Sequence, residues 1–347
     1  MMDGAAGTIR TPWDTPPAPG EAIEVAEGVL WLRLPLPMAL DHVNVYALDE
    51  GDGWTIIDTG IWTEGCLAAL QAALEGPLAG KPVRQVVLTH YHPDHAGLAG
   101  WLMETQGAPL AATRTSWLTT RMLQLDEETE ATAASVAYWQ AAGLSPEMLA
   151  RKRAERPFNF KDMVWPIPTG YTRLKDGQRW RMGGRDWVIR TGDGHAPEHA
   201  TFWSLDDNLV IGGDQLLPSI SANIGVNASE PEANPLAEWL DSCARFVDYA
   251  REDQLILGGH KLPFTGLPLR LRQMSENHYG ALARLRAHLA TPRVAVECFP
   301  PLFKRAIDER VFGLALVETV AHLNYLLEDG QATRRKREDG AWLWERT

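Results

Sequence analysis

Residues 86–97, VVLTHYHPDHAG, decide how this chain reads. Val86, Val87 and Leu88 form a short apolar run of the kind that fills a buried strand. His90 and His92 follow at the end of that run, two residues apart. Pro93 suits the first turn of a helix, which places Asp94, His95 and Ala96 around the helix start. A strand that ends where a helix begins converges several side chains on one point. Two imidazoles at alternate positions can share a metal ion, and Asp94 with His95 can turn toward a second one. Three neutral imidazoles and a carboxylate packed this closely suit zinc or another borderline divalent cation.

Three further strand ends carry the same kind of residue. GDGHAPEH (192–199) follows the strand-like DWVIRT and puts His195 in a glycine-rich turn. His199, four residues on, reads as a residue that supports the ligands or faces substrate, not as a ligand itself. In LVIGGDQLLP (209–218) Asp214 ends an apolar strand after two glycines, well placed to bridge two cations. LILGGH (255–260) sets His260 at one more strand end. Each signal alone is weak, and their order along one chain makes them strong together.

THYHPDHAG, GDGHAPEH, GGDQLLP and LGGH together resemble the metallo-β-lactamase-fold hydrolase superfamily. GWTIIDTG (53–60) looks like that superfamily's strand ending in an aspartate, and HVNVYAL (42–48) like the strand before it. The resemblance implies an α/β fold, a four-layer αββα sandwich with metals at one edge. It implies that His90, His92 and His195 hold one metal, that Asp94, His95 and His260 hold a second, and that Asp214 bridges them. Asp58 would orient a ligand imidazole and fix its tautomer. The cofactors implied are two divalent ions, zinc first, with manganese or iron as alternatives. Asp94 stands where a cysteine would suggest the antibiotic-degrading zinc enzymes, and His92 where a glutamate marks the diiron oxygen-reducing branch, so the pattern favours hydrolysis over redox chemistry. VFGLALVETVAHLNYLLEDGQATRRKREDGAWLWER (311–346) reads as a helix followed by a two-stranded wing, and resembles the small winged-helix domain attached to a subset of these hydrolases.

Composition sets the frame. The chain has 347 residues, 45% apolar and 22% charged, which fits one large globular domain plus a smaller one. Thirty-three basic against forty-five acidic residues give a net charge of −12, which disfavours a whole-surface attraction for nucleic acid. The three cysteines, Cys66, Cys243 and Cys298, form neither a CxxC pair nor a disulfide framework. No apolar run suits a signal peptide or a bilayer span, and the expected compartment is the cytoplasm. Most of the fourteen tryptophans are expected in the core.

The expected organisation is a mobile leader over 1–21, a catalytic domain over 22–266 and a helical and winged-helix-like domain over 267–347. Residues 24–60 read as three strands, 62–76 as an amphipathic helix, and 114–165 as an inserted helical cap. Trp117, Met122, Tyr138 and Trp139 in that insertion are read equally well as pocket wall or as core. His278, on a long helix over 267–290, is expected at the surface.

Two cations sharing Asp214 can share a water and bring its pKa near neutrality, giving a metal-bridging hydroxide for hydrolysis. Asp94 can accept a proton as well as ligate, and His199 or Tyr91 can donate to an oxyanion. The substrate expected is a small-molecule ester, thioester or lactone. An RNA or other phosphodiester is the alternative, favoured by the wing and by Arg334, Arg335, Lys336 and Arg337, and a β-lactam is disfavoured. A nucleic-acid-binding regulator with a vestigial metal site is the non-enzymatic alternative. No membrane partner is expected, and a homodimer is compatible with the insertion.

Overall fold

A computed structural model describes residues 7–303 and 305–347. Seven strands form the first sheet in chain order: β1 (Ala22–Ala26), β2 (Val29–Pro35), β3 (His42–Asp49), β4 (Trp54–Ile57), β5 (Val83–Val87), β6 (Leu110–Thr113) and β7 (Thr172–Leu174). Five form the second, with β8 (Arg179–Met182), β9 (Arg185–Gly192), β10 (His199–Ser204), β11 (Leu209–Gly213) and β12 (Leu255–Gly258) lying in the order β12-β11-β10-β9-β8. Residues 22–57 hold four strands where three were expected, because Glu27 and Gly28, the latter at φ 68°, fold EVAEGVLWLRLP into a β1–β2 hairpin.

Strands β4 to β7 run parallel, and so do β11 and β12. A parallel pair needs a crossover. The helix Glu64–Glu75, capped by the Thr63 hydroxyl, supplies one between β4 and β5, and Ala99–Gln106 supplies the next. Their apolar faces, with Cys66, Leu70, Ala99 and Leu102, pack on Val43, Val45, Ile56 and Val86 of the first sheet. The other face of that sheet meets the second sheet through Trp31, Tyr46, Ile57 and Val87 on one side and Trp187, Ile189, Phe202 and Ile211 on the other. Fully burying each large apolar side chain stabilises the sandwich by about 1.5–3 kcal/mol. Seven of the fourteen tryptophans are buried, among them Trp31 and Trp187.

The chain sorts into two compact units. The first runs up to Glu127 and includes Asn159–Ala222 and Val247–Leu271; the second comprises Glu128–Phe158, Asn223–Phe246 and Arg272–Thr347. Of the segment expected as a leader, residues 1–6 lie outside the described residues. From there on the chain is tied down, Arg10 pairing with Thr265 through two backbone hydrogen bonds and Trp13 meeting Trp31 edge to face. The second unit holds the helix Phe312–Glu328 and the hairpin of β13 (Ala332–Lys336) and β14 (Trp342–Arg346), which turns at Asp339 and Gly340. The helices Arg114–Leu125, Ala133–Ala141 and Pro146–Ala154 occupy the expected insertion. Trp117 of the first unit stacks on Tyr171 at 4.5 Å, and the Tyr138 hydroxyl of the second donates to the Val226 carbonyl.

His278 corrects an expectation. It is buried, its Nδ1 3.3 Å from His322 Nε2, because it falls on the same helical stripe as Leu271, Met274, Leu282 and Leu285. Among the described residues no helix is long and apolar enough to cross a membrane.

Candidate metal centre

The topology explains where the histidines meet. Asp58 follows β4 and His90 follows β5, a parallel pair, so both stand at carboxyl ends of neighbouring strands. Asp214 follows β11 and His260 follows β12, the parallel pair of the second sheet. Carboxyl ends of parallel strands open onto loops without crossing chain, the usual place for a site in such sheets. His195 lies in the turn from β9 to β10, and Pro93 begins the short helix Pro93–Ala96 that carries Asp94 and His95. The paired glycines before Asp214 and His260 have a steric cause. A Cβ on Gly259 would overlap Asp214 Oδ1 and lie 2.7 Å from His95 Cε1, and Gly213 sits at φ 48° against the His199 ring.

The structure brings together His90, His92, Asp94, His95, His195, Asp214 and His260, all in the first unit. Three overlapping groups have ligand atoms within 4.8 Å of one another: His90, His92 and His195; His90, His95 and Asp214; Asp94, His95 and His260. Asp214 stands between the outer two groups. Its Oδ2 lies 3.5 Å from His195 Nε2 and 3.2 Å from His260 Nε2, and its Oδ1 lies 3.4 Å from His95 Nε2. Asp94 Oδ2 lies 3.4 Å from His260 Nε2.

Donor accounting fixes which nitrogen of each ring faces the centre. Asp58 accepts from the Thr89 amide and hydroxyl, both at 2.8 Å, and from His95 Nδ1 at 2.7 Å. The Thr89 hydroxyl proton being used on Asp58, its oxygen accepts from His90 Nδ1 at 3.0 Å. His260 Nδ1 donates to the His42 carbonyl at 2.8 Å. Each of these three rings therefore spends its Nδ1–H on a protein acceptor and turns Nε2 inward, the orientation of a metal-ligating histidine. His90 Nε2, His95 Nε2 and Asp214 Oδ1 are buried and make no hydrogen bond. Buried polar atoms without partners are costly in a native fold. A divalent cation satisfies them, and a set of imidazoles and carboxylates suits zinc, manganese or iron.

His199 has a different place. It is fully buried and stacked on His90 at 4.6 Å, and its Nε2 accepts the Asp214 amide at 3.1 Å. Its ring holds the backbone that presents Asp214. Tyr91 packs beside His92 at 4.6 Å.

Electrostatics sort the groups. Burial, reinforced by the neighbouring imidazoles, holds His90 well below the ordinary histidine range and takes His92 down to about 3. Burial opposes ionisation of Asp94 and Asp214, but the facing His95 and His260 outweigh it, bringing Asp94 to about 2 and Asp214 well below its usual range. Burial likewise opposes charge on His260, and Asp214 and Asp94 overcome it, lifting His260 to about 9. The centre thus offers ionised carboxylates and the neutral imidazoles of His90 and His92 directly, whereas a cation would have to displace a proton from His95 and from His260.

Backbone strain collects at the same place. Among the described residues the non-glycine residues in the left-handed region are Asp58 at φ 59°, Glu198 at 51° and Lys261 at 68°. Asp58 holds His95, Glu198 precedes His199, and Lys261 follows His260. Sequence reasoning missed His42, Asn44 and Thr89. The signal for the first two was present: polar residues at alternate positions of a strand whose other residues are apolar along nearly its whole length.

Two mixed sheets face to face, with a histidine and aspartate cluster at the carboxyl ends of their parallel strands, define a metal-dependent hydrolase of the αββα class. The family model described as Metallo-beta-lactamase superfamily matches residues 38–260, and one for a Metallo-beta-lactamase-like C-terminal domain matches 282–347. The chain belongs to the metallo-beta-lactamase superfamily. The probable metallo-hydrolase YqjP of Bacillus subtilis (strain 168) is 27% identical over 318 residues, 86% of this chain and 92% of that protein. A beta-lactamase domain protein from Burkholderia ambifaria is 35% identical, with a TM-score of 0.85 over 98% of this chain and 99% of that one. A metallo-beta-lactamase family protein from Thermus thermophilus is 28% identical, with a TM-score of 0.76 over 93% of this chain and all of that one (100%).

Proposed function

We propose that the chain works with two divalent cations, zinc in the first instance, and hydrolyses an ester, thioester or lactone of small-molecule metabolism. The observation that carries the dinuclear part is Asp214, whose two oxygens reach imidazoles of both outer groups. His90, His92 and His195 would hold one cation and Asp94, His95 and His260 the other, with Asp214 between them. When bound, the cations supply Lewis acidity, polarising the scissile carbonyl oxygen and lowering the pKa of a bound water toward neutrality. The chain's own groups do the rest. Asp58 and Thr89 hold His90 and His95 in the tautomers that face inward. His199 fixes the Asp214 backbone. Asp94, at 19% side-chain exposure against 9% for Asp214, is the more open of the two carboxylates, which supports it as the one that would take a proton from solvent or substrate.

The acyl substrate is favoured over RNA by charge. The net charge is −12, and cations of the Arg334–Arg337 run are already engaged. Arg334 pairs with Glu232 and lies over the Trp342 ring, and Arg337 grips Asp339 at 2.6 Å. The test is one side-by-side hydrolysis assay on zinc-loaded protein, comparing thioesters and lactones with single-stranded RNA and using Asp214→Ala as the blank. Acyl turnover with intact RNA is expected. RNA cleavage with silent acyl substrates would overturn the substrate assignment, and equal rates from Asp214→Ala would overturn the metal mechanism.

A further inference from the structure

We propose that Asn44 is a positioning residue for the His260 side of the metal centre, acting from the middle of β3 on the loop that carries that ligand. The inference rests on the dinuclear reading above. His260 is followed by Lys261 at φ 68°, in the left-handed region that residues with a Cβ rarely adopt. A loop with such a residue keeps its shape only where its surroundings hold it. Asn44 does so from both sides. Its Nδ2 donates to the Gly258 carbonyl at 2.9 Å and to the Lys261 carbonyl at 2.8 Å, using both amide protons on the two flanks of His260. Its backbone amide donates to the Gly259 carbonyl at 2.7 Å. Its Oδ1 accepts from Trp31 Nε1 at 2.9 Å, which fixes which end of the amide faces the loop.

The strand's two-residue period extends the cradle. Tyr46 donates its hydroxyl to the Gly258 carbonyl at 2.8 Å. His42 accepts His260 Nδ1 on its carbonyl and the Lys261 amide on its Nε2 at 3.0 Å. Residues 42, 44 and 46 share one face of a strand, and all three grip the same four-residue loop. Within that set Asn44 bears on three of the loop's carbonyls. None of these bonds runs to His90, His92 or His195, and His95 is oriented separately by Asp58. Disturbing Asn44 should therefore loosen one cation and leave the other.

The experiment is a zinc titration of metal-free protein, read by metal content after dialysis and by the visible absorption of the cobalt-substituted form. Wild type is expected to take up two equivalents. Asn44→Ala, and the isosteric Asn44→Asp, which sets a carboxylate against two carbonyls, should keep one tight equivalent and bind the second 10–100-fold more weakly, the range for partners behind a ligand. His260→Ala should reproduce that one-metal state and its cobalt spectrum. Should the alanine variant fail to fold by circular dichroism, Asn44→Asp and Tyr46→Phe decide, the latter with a smaller loss confined to the second equivalent. Two unchanged affinities in the Asn44 variants, or loss of both equivalents from variants that fold, would overturn the assignment. A wild type that binds one equivalent would instead overturn the dinuclear reading on which it rests.

Discussion

Glu318 should destabilise the protein at neutral pH and stop doing so in mild acid. It stands mid-helix in Phe312–Glu328, part-buried, with the Asn223 amide donating to its Oε2 at 3.0 Å. Burial, against that one bond, pushes its carboxyl from 4.5 up to about 7. The folded state therefore holds the proton more tightly than the unfolded chain. The cost is complete above about pH 7, fades as pH falls from 7 toward 4.5, and is gone below that. At about 1.36 kcal/mol for each tenfold change, the ceiling is about 3 kcal/mol, and partial contact with water brings it to roughly 1–2 kcal/mol. Glu318→Gln keeps an acceptor for Asn223 and removes the charge. Its urea midpoint at pH 8, followed by tryptophan fluorescence on the zinc-loaded protein, should rise by an amount equivalent to about 1–2 kcal/mol with an unchanged slope. At pH 5 the two proteins should unfold together. No gain at pH 8, or an equal gain at both pH values, would refute the reasoning.

Other perturbations act at the metal centre and on the hairpin. Asp58→Asn keeps a residue type that accepts the left-handed backbone at φ 59° but loses carboxylate acceptors for Thr89 and His95, so zinc retention against a competing chelator should fall 10–100-fold with the fold intact. Gly97→Ala would put a Cβ 2.5 Å from the Gly60 and Pro93 carbonyls and 2.6 Å from Ile61 Cα, all backbone; thermal unfolding should show a loss of about 2–3 kcal/mol together with reduced zinc content. The double change Arg335→Ala with Lys336→Ala should leave thioester hydrolysis unchanged and should not alter filter retention of RNA at either low or high salt.

Much of the site was legible because ligand chemistry leaves a local mark. HxHxDH after an apolar run, and GG before Asp214 and His260, are patterns that strand ends and close backbone approach impose. The alternation of strand and helix from Trp54 to Thr113 likewise follows from parallel pairing, which needs crossovers. The rest depends on distance in sequence. His278 looked exposed because its immediate neighbours are polar, and only the i±4 stripe through Met274 and Leu282 shows it buried. Asn44 lies 216 residues from His260, so nothing near either of them announces that one holds the other's loop. The grouping of Glu128–Phe158 with the C-terminal residues is of the same kind, a matter of long-range packing that local pattern does not encode.

The order in which the strand ends emerge also sets a clock on the ribosome. With the ligands assigned as above, the first cation's three imidazoles are complete once residue 195 is out, but the second waits for residue 260. At roughly 5–20 residues per second the 65 residues between them take about 3–13 s. During that interval a nascent chain can present His90, His92 and His195 while Asp94 and His95 still lack their partner. On that assignment zinc captured early would meet a half-built centre, and the closing of the second sheet by β12 would be the event that completes the ligand set.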